Sequence, residues 1–279
     1  MDFISPVMEE KIRRKFNRAC TEYRLLEDGD RILIAVSGGK DSLALCRLMA
    51  HQARIFKPRI HVEAAHVVMD NIPYETSRPY LESFCQQLHM PLHILHGSFN
   101  EDRSDGRGKT KCFLCSWHRR KILFAFASER GFNKVALGHH QDDILTTWLM
   151  NVTYEGNAST ILPKMQMEHY PLQLIRPLCL VEESWISEVA RLLGFEHQKT
   201  VCPYEDQTRR RDMNNIFHQL EVLNPEARYS MWHAIQRSLK KYIYQKNTSS
   251  LFPHHENLPP LPNALLRAPA GLVCRGRSC

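Results

Sequence analysis

Ser37-Gly38-Gly39-Lys40-Asp41-Ser42 is the stretch of this chain whose residue types suit chemistry better than packing. It follows an apolar run, Ile32 to Val36, and precedes Leu43, Leu45, Leu48 and Met49 at helical spacing. A buried strand, a Gly-rich turn and a helix make an anion site. The first helical N–H groups lack intrahelical partners, the helix dipole favours negative charge, and missing Cβ atoms let phosphate oxygens approach the backbone. Lys40 adds a positive charge, Ser37 and Ser42 add hydroxyls, and Asp41 adds a carboxylate able to hold Mg2+. The spacing is neither G-x-x-x-x-G-K-[ST] nor G-x-G-x-x-G, so this is a phosphate loop of another kind. The bland alternative, a glycine turn that merely starts a helix, leaves Lys40, Asp41 and both serines without a purpose.

Two more clusters carry chemistry. Cys112-Phe113-Leu114-Cys115 fits half a zinc site, a redox pair or part of an iron–sulfur site. Cys202, in Val201-Cys202-Pro203-Tyr204-Glu205, is the next cysteine in comparable surroundings; three thiolates can hold a 4Fe-4S cluster and leave one iron open. Cys20, Cys46, Cys85 and Cys179 read as ordinary buried or half-buried thiols, and Cys274 and Cys279 as incidental. In Gly138-His139-His140-Gln141-Asp142-Asp143, a carboxylate pair at a strand end can bind Mg2+ together with Asp41, or can simply cap the following helix.

The elements that must position these residues alternate. Strands are expected at Ile32–Val36, Ile60–Met69, Leu92–Leu95, Lys134–Leu137 and Leu172–Ile175. Helices are expected at Thr76–Leu88, Cys115–Arg130, Gln141–Val152 and Glu182–Leu193, with an amphipathic basic helix Pro6–Leu26 ahead and two more, Thr208–Leu223 and Glu226–Tyr244, behind. Asn100–Lys111, with Gly106 and Gly108, reads as a mobile loop. This alternation predicts an α/β fold with a doubly wound parallel sheet, flanked by N- and C-terminal helices, whose ligands sit beyond the carboxyl ends of the strands. Ala35, Ser37 to Ser42, Met69, Gly138 and His139 would then line one nucleotide pocket. The expected divisions are 1–29 (basic helix), 30–200 (nucleotide domain), 201–248 (helical extension) and 249–279, a proline-rich, flexible tail.

At 279 residues and 43% hydrophobic content the chain can bury a substantial core. No apolar run approaches the roughly 20 residues of a membrane span, and the first residues are basic rather than signal-like, so a cytoplasmic protein is expected. The net charge of +7 is clustered in Lys11–Arg24, Arg103–Lys121, Arg209–Arg211 and Arg237–Lys246. Several basic segments suit a polyanion longer than ATP; solvated basic faces are the plain alternative.

The hexapeptide resembles the signature of the PP-loop ATP pyrophosphatases, of the HUP fold type, which cleave ATP between its α and β phosphates. Joined to Lys111-Cys-x-x-Cys-x5-Arg120, Leu137-Gly-His-His-x-Asp-Asp143, Arg176-Pro-Leu178 and Val-Cys-Pro at Val201, it is similar to the TtcA family of tRNA 2-thiocytidine synthetases over roughly Ile12 to Tyr244. The resemblance implies ATP, Mg2+ and a 4Fe-4S cluster on Cys112, Cys115 and Cys202, with Lys40, Asp41 and Asp143 catalytic. It implies tRNA cytidine 32 as target, Arg119, Arg120, Arg209 and Arg210 on the RNA, and a cysteine desulfurase as the sulfur source. A homodimer is one possible assembly, and the sequence does not give the oligomeric state. Glu205 stands where many members carry a further cysteine, which fits three protein ligands and leaves room for a sister branch with another substrate. The rivals are a tRNA 2-thiouridine synthetase, a lysidine synthetase and a non-enzymatic RNA-binding module with structural zinc.

Overall fold

The structure, a computed structural model, describes residues 6–71, 77–98, 111–196 and 209–248, and within these the side chains of residues 6, 111–113, 209 and 239–248 lie outside the description. In chain order the elements are α1 (Pro6–Glu22), β1 (Arg31–Ala35), α2 (Lys40–Ala53), β2 (His61–Met69), α3 (Arg78–Gln87), β3 (Leu92–Gly97), α4 (Lys111–Glu129), β4 (Lys134–Ala136), α5 (Gln141–Glu155), β5 (Lys164–Gln166), β6 (Gln173–Ile175), α6 (Glu183–Leu192), α7 (Arg209–Leu223) and α8 (Ala227–Thr248).

The six strands form one sheet in the order β3-β2-β1-β4-β6-β5. β3, β2, β1, β4 and β6 run parallel, and β5 pairs antiparallel with β6 at the edge. Chain order runs outward in one direction from β1 through β2 and β3, and in the other through β4. The crevice between β1 and β4 is therefore the topological switch point, where ligands of such sheets bind. The expected parallel sheet is present, with β5 as an addition. Three residues with no alternation gave β5 no periodic signal, and it holds only because β6 offers an open edge.

Ile32, Leu33 and Ile34 are fully buried, as a central parallel strand covered on both faces requires. Leu33 joins Ala65, Val67, Val135 and Leu174 under Leu123, Phe124 and Ala127 of α4. Side chains alternate along a strand, so Ile32 and Ile34 face the other way. On the second layer α2 packs on β1 and β2, α6 on α2, and α1 on α6. Ile12, Phe16 and Ala19 form the buried stripe of α1.

The amino ends of β1 and β4 are tied by a buried ion network. Lys134 Nζ donates to Asp30 Oδ2 at 2.7 Å, Glu27 Oε2 at 3.1 Å and the Leu25 carbonyl at 3.1 Å. Asn133 bridges the same corner, donating to Asp30 Oδ1 and accepting from the Arg31 N–H, both at 2.8 Å. All of this lies at the end of the strands opposite to the glycine loop.

The chain packs as two compact units. Among the described residues, one comprises those up to 141 and 162–196 and holds the sheet with α1 to α4 and α6; the other comprises 142–161 and 209–248 and holds α5, α7 and α8. The sequence reading had put α5 with the nucleotide domain, whereas its polar side chains bond to α7 and α8. Thr146 Oγ1 donates to Asn214 Oδ1 at 2.6 Å, and Arg228 donates to Asp142 Oδ1 at 2.6 Å. The tail 249–279, expected to be flexible, and residues 100–110 of the loop expected to be mobile at Asn100–Lys111 lie outside the described residues, while Lys111 begins α4.

Candidate nucleotide and cysteine site

β1 ends at Ala35, and Val36 still donates to the Ala65 carbonyl at 2.9 Å, so the chain leaves the sheet abruptly at Ser37. Gly38 turns it with φ +91°, a left-handed conformation that a side chain would strain. Gly39 then caps α2 without a side-chain bond of its own. Ser42 supplies the missing tie from inside the helix: its hydroxyl donates to the Gly39 carbonyl at 2.8 Å and accepts from the Ser37 N–H at 3.3 Å. Ser37 Oγ accepts from the Gly39 N–H at 3.3 Å. The first bonds of α2 run from Ser42 and Leu43 back to Gly39, which leaves the Lys40 and Asp41 amides ahead of the helical ladder. The loop is pre-shaped around backbone N–H groups, as a phosphate cradle must be.

Lys40 Nζ lies 2.8 Å from Glu183 Oε1 and 3.2 Å from Asp41 Oδ1. Burial alone would lower its pKa, but the charges of Asp41 and Glu183 and the Glu183 hydrogen bond outweigh that and raise it. Lys40 is thus a fixed cation at the mouth of the loop. Sequence reasoning missed Glu183, which looks like any acidic residue in the first turn of a helix.

The strand end after β4 closes against this turn. A Cβ on Gly138 would stand 3.2 Å from the Asp41 carbonyl carbon and 3.2 Å from the Ser42 nitrogen. Glycine is needed there because backbone meets backbone. His140, buried at 5%, brings Nε2 to 3.9 Å from Asp41 Oδ1. His139 is half-buried beside it. Met69 is 1% exposed and belongs to the core, so its contribution to a pocket is backbone.

His66 on β2 is a second residue the sequence reading passed over. It is 3% exposed, and its Nδ1 lies 2.7 Å from the carbonyl of Val36, the residue before the loop. Burial lowers its pKa, with a smaller push from the Arg119 charge, so the ring is a neutral donor to Val36. A histidine inside an otherwise apolar strand was the available signal.

Arg119 belongs to α4, as do Cys112 and Cys115, which stand three apart and so share a face of that helix. Cys115 is half-buried and packs against the core under α4. Cys202, Glu205, Cys274, Cys279 and the Cys112 side chain lie outside the described residues, and among those described no group of His, Cys, Asp and Glu is arranged to hold a metal. The other thiols behave as expected: burial pushes Cys20 up to about 12 and Cys85 to about 11, and raises Cys46 and Cys179 well above the ordinary range. They remain protonated and unreactive.

In the smaller unit the acidic pair is engaged by arginines. Asp143 accepts from Arg210, and Asp142, with a side chain 6% exposed, accepts from Arg228. Arg228 also holds Glu221 at 2.8 Å, and burial, which would lower its pKa, is overcome by these two carboxylates, so its charge is locked. Of the four arginines expected on RNA, Arg210 faces Asp143, Arg120 Nε turns back to the Ser116 carbonyl at 3.1 Å, and the Arg209 side chain is outside the description.

The cradle lies where nucleotides bind in such sheets, and the family profile of the PP-loop domain, ATP_bind_3, matches residues 8–220. The chain belongs to the PP-loop family. Its relatives include proteins named tRNA-cytidine(32) 2-sulfurtransferase. That of Bdellovibrio bacteriovorus is 32% identical over 231 residues, 82% of this chain and 87% of the relative, and that of Legionella pneumophila strain Paris is 32% identical over 245 residues, 86% and 85%. The U34-tRNA thiolase NcsA from Methanococcus maripaludis, solved with its [4Fe-4S] cluster, shares the fold at a TM-score of 0.69 and 24% identity, covering 84% of this chain and 79% of that one. The PP-loop fold expected from the hexapeptide is therefore the fold observed. Among the described residues no helix is long and apolar enough to cross a membrane.

Proposed function

We propose that this PP-loop protein is an ATP-dependent tRNA sulfurtransferase that acts on cytidine 32 of the anticodon loop. The observation that carries the reading is the Ser37–Ser42 cradle at the β1/β4 switch point, in the same compact unit as the half-buried Cys115 of α4. Oxygen on C2 of a pyrimidine is a poor leaving group. Attack of that oxygen on the α-phosphorus of ATP expels pyrophosphate and leaves an AMP ester; sulfur then forms the new bond to C2 and AMP departs. Amides of the loop and the Lys40 cation would face the charge that develops on the phosphates, and Asp41 would offer a carboxylate to Mg2+. His66 fixes the strand end from which the loop springs. A single-stranded loop base can be turned out toward such a site.

Cys115, half-buried and three residues after Cys112 on the same helix, suits a cluster ligand, and Cys112, Cys115 and Cys202 are the three that would hold it. When bound, a three-thiolate 4Fe-4S cluster supplies an iron with an open position for sulfur. A cysteine desulfurase would supply that sulfur as a persulfide, and a thiol reductant would provide the two electrons that release it as the sulfide needed at C2. The test is a set of variants purified without oxygen. Cys112→Ala, Cys115→Ala and Cys202→Ala are each expected to lose iron and thiolation together, while Cys46→Ala and Glu205→Ala keep both. Full thiolation by Cys202→Ala would remove the third ligand, and loss of iron from Glu205→Ala would sink the open iron.

A further inference from the structure

The cations that a sequence reading sends to RNA from α4 are not the ones that face solvent. Arg120 bonds its own helix at Ser116, and Arg119 lies close enough to the buried His66 for its charge to reach the ring. The outward side is instead marked by Trp117, 44% exposed, and by the exposed Lys121 one turn on. Lys121 Nζ stands 5.5 Å from the Trp117 ring centroid, and the His118 ring meets the indole edge-on at 4.8 Å. Trp148 and Trp185 are half-buried and Trp232 is buried, so Trp117 is the exposed indole of this chain.

What covers such a ring follows from its surroundings. A protein helix would need an apolar stripe, yet among the described residues of α4 the exposed neighbours are Ser116 and Lys121. Charge points the same way: α4 carries Lys111, Arg119, Arg120 and Lys121 and one acid, Glu129, at its far end. A large flat ring beside a solvent-facing ammonium in a basic helix matches one repeat of a single-stranded nucleic acid, a base to stack and a phosphate to pair. Trp117 follows Cys115 by two positions and so points to roughly the opposite side of α4. The base it takes is therefore not the reacting one.

We infer that Trp117 and Lys121 form a nucleotide subsite, in which the indole stacks an unpaired base flanking the target and the ammonium pairs with its phosphate. This rests on the tRNA reading above. The probe is a synthetic RNA stem-loop with an unpaired loop, compared with the same stem as a blunt duplex, at several salt concentrations. Trp117→Ala is expected to weaken stem-loop binding roughly tenfold, to leave its salt slope unchanged, and to leave duplex binding unchanged. Trp117→Phe should keep most of the affinity but lose the quenching of tryptophan emission that the loop produces in the unsubstituted protein. Lys121→Met should lower the salt slope by about one unit. If the protein binds the stem-loop while Trp117→Ala binds equally well with unchanged quenching, or loses duplex and loop binding alike, the stacking subsite is wrong and the tRNA reading stands. If the unsubstituted protein binds neither RNA, the tRNA reading falls and the subsite with it.

Discussion

Lys40 shows how much a residue's neighbours add to its type. The sequence marks it as a phosphate ligand, but only the structure shows the cation held between Asp41 and Glu183. Removal of such a preorganised charge lowers turnover on the order of 10²–10³-fold. Lys40→Ala is accordingly expected to abolish measurable ATP cleavage while circular dichroism and iron content stay unchanged; normal ATP consumption with tRNA present would refute the role. His66 gives a second prediction through pH. Its folded-state pKa lies below the ordinary 6.5, so the unfolded chain takes the proton first as pH falls. Its contribution to stability is full above about 6.5 and declines below that until the folded protein is protonated too, with a limiting slope of about 1.4 kcal/mol per pH unit. Urea unfolding between about pH 7 and about pH 5 should show this decline in the unsubstituted protein and a shallower one in His66→Asn; identical slopes would assign it elsewhere. His66 and Glu183 were not legible as site residues because their significance is a partner, Val36 or Lys40, that is distant in the chain.

Elements were easier to read than partners. The alternation of strands and helices follows from period and length, and observed boundaries differ from expectation by a few residues at most for the strands β1 to β4. β5 was missed because three residues carry no period. What lies on which side of α4 was not legible either: a basic run names charges, while helical phase and the strand beneath decide that Arg119 turns in and Lys121 out. The strand-end turn at Gly138 makes the sharpest prediction at this scale. An added methyl would press on the backbone of Asp41 and Ser42, which cannot rotate away as a side chain could. Gly138→Ala should therefore cost about 1–3 kcal/mol of stability and raise the KM for ATP by shifting the first turn of α2. An unchanged KM would mean that the β4 turn does not support the phosphate loop.

At the scale of the molecule, sheet stability and nucleotide chemistry sit at opposite ends of the same strands. The Lys134, Asp30 and Glu27 network clamps the amino ends of β1 and β4, both partners of the closest pair having side chains 2% exposed. Truncating one member leaves a buried charge without its counterion, a loss of about 3–5 kcal/mol. Lys134→Met should lower the unfolding free energy by about that amount and leave the KM for ATP unchanged below the new Tm; a loss under about 1 kcal/mol would mean the pair is no more than a surface bridge. The strand carboxyl ends are left to function, and there the family signature, legible in six residues, and the observed cradle agree. The most direct measurement is a reaction without oxygen that holds the protein, Mg2+, ATP, tRNA and a cysteine desulfurase with cysteine, followed by analysis of both nucleotides and nucleosides. The expected products are AMP, pyrophosphate and 2-thiocytidine at position 32 in equal amounts, all absent with Lys40→Ala. ADP and phosphate in place of AMP and pyrophosphate, or no thiolated nucleoside from protein with its full complement of iron, would contradict the account.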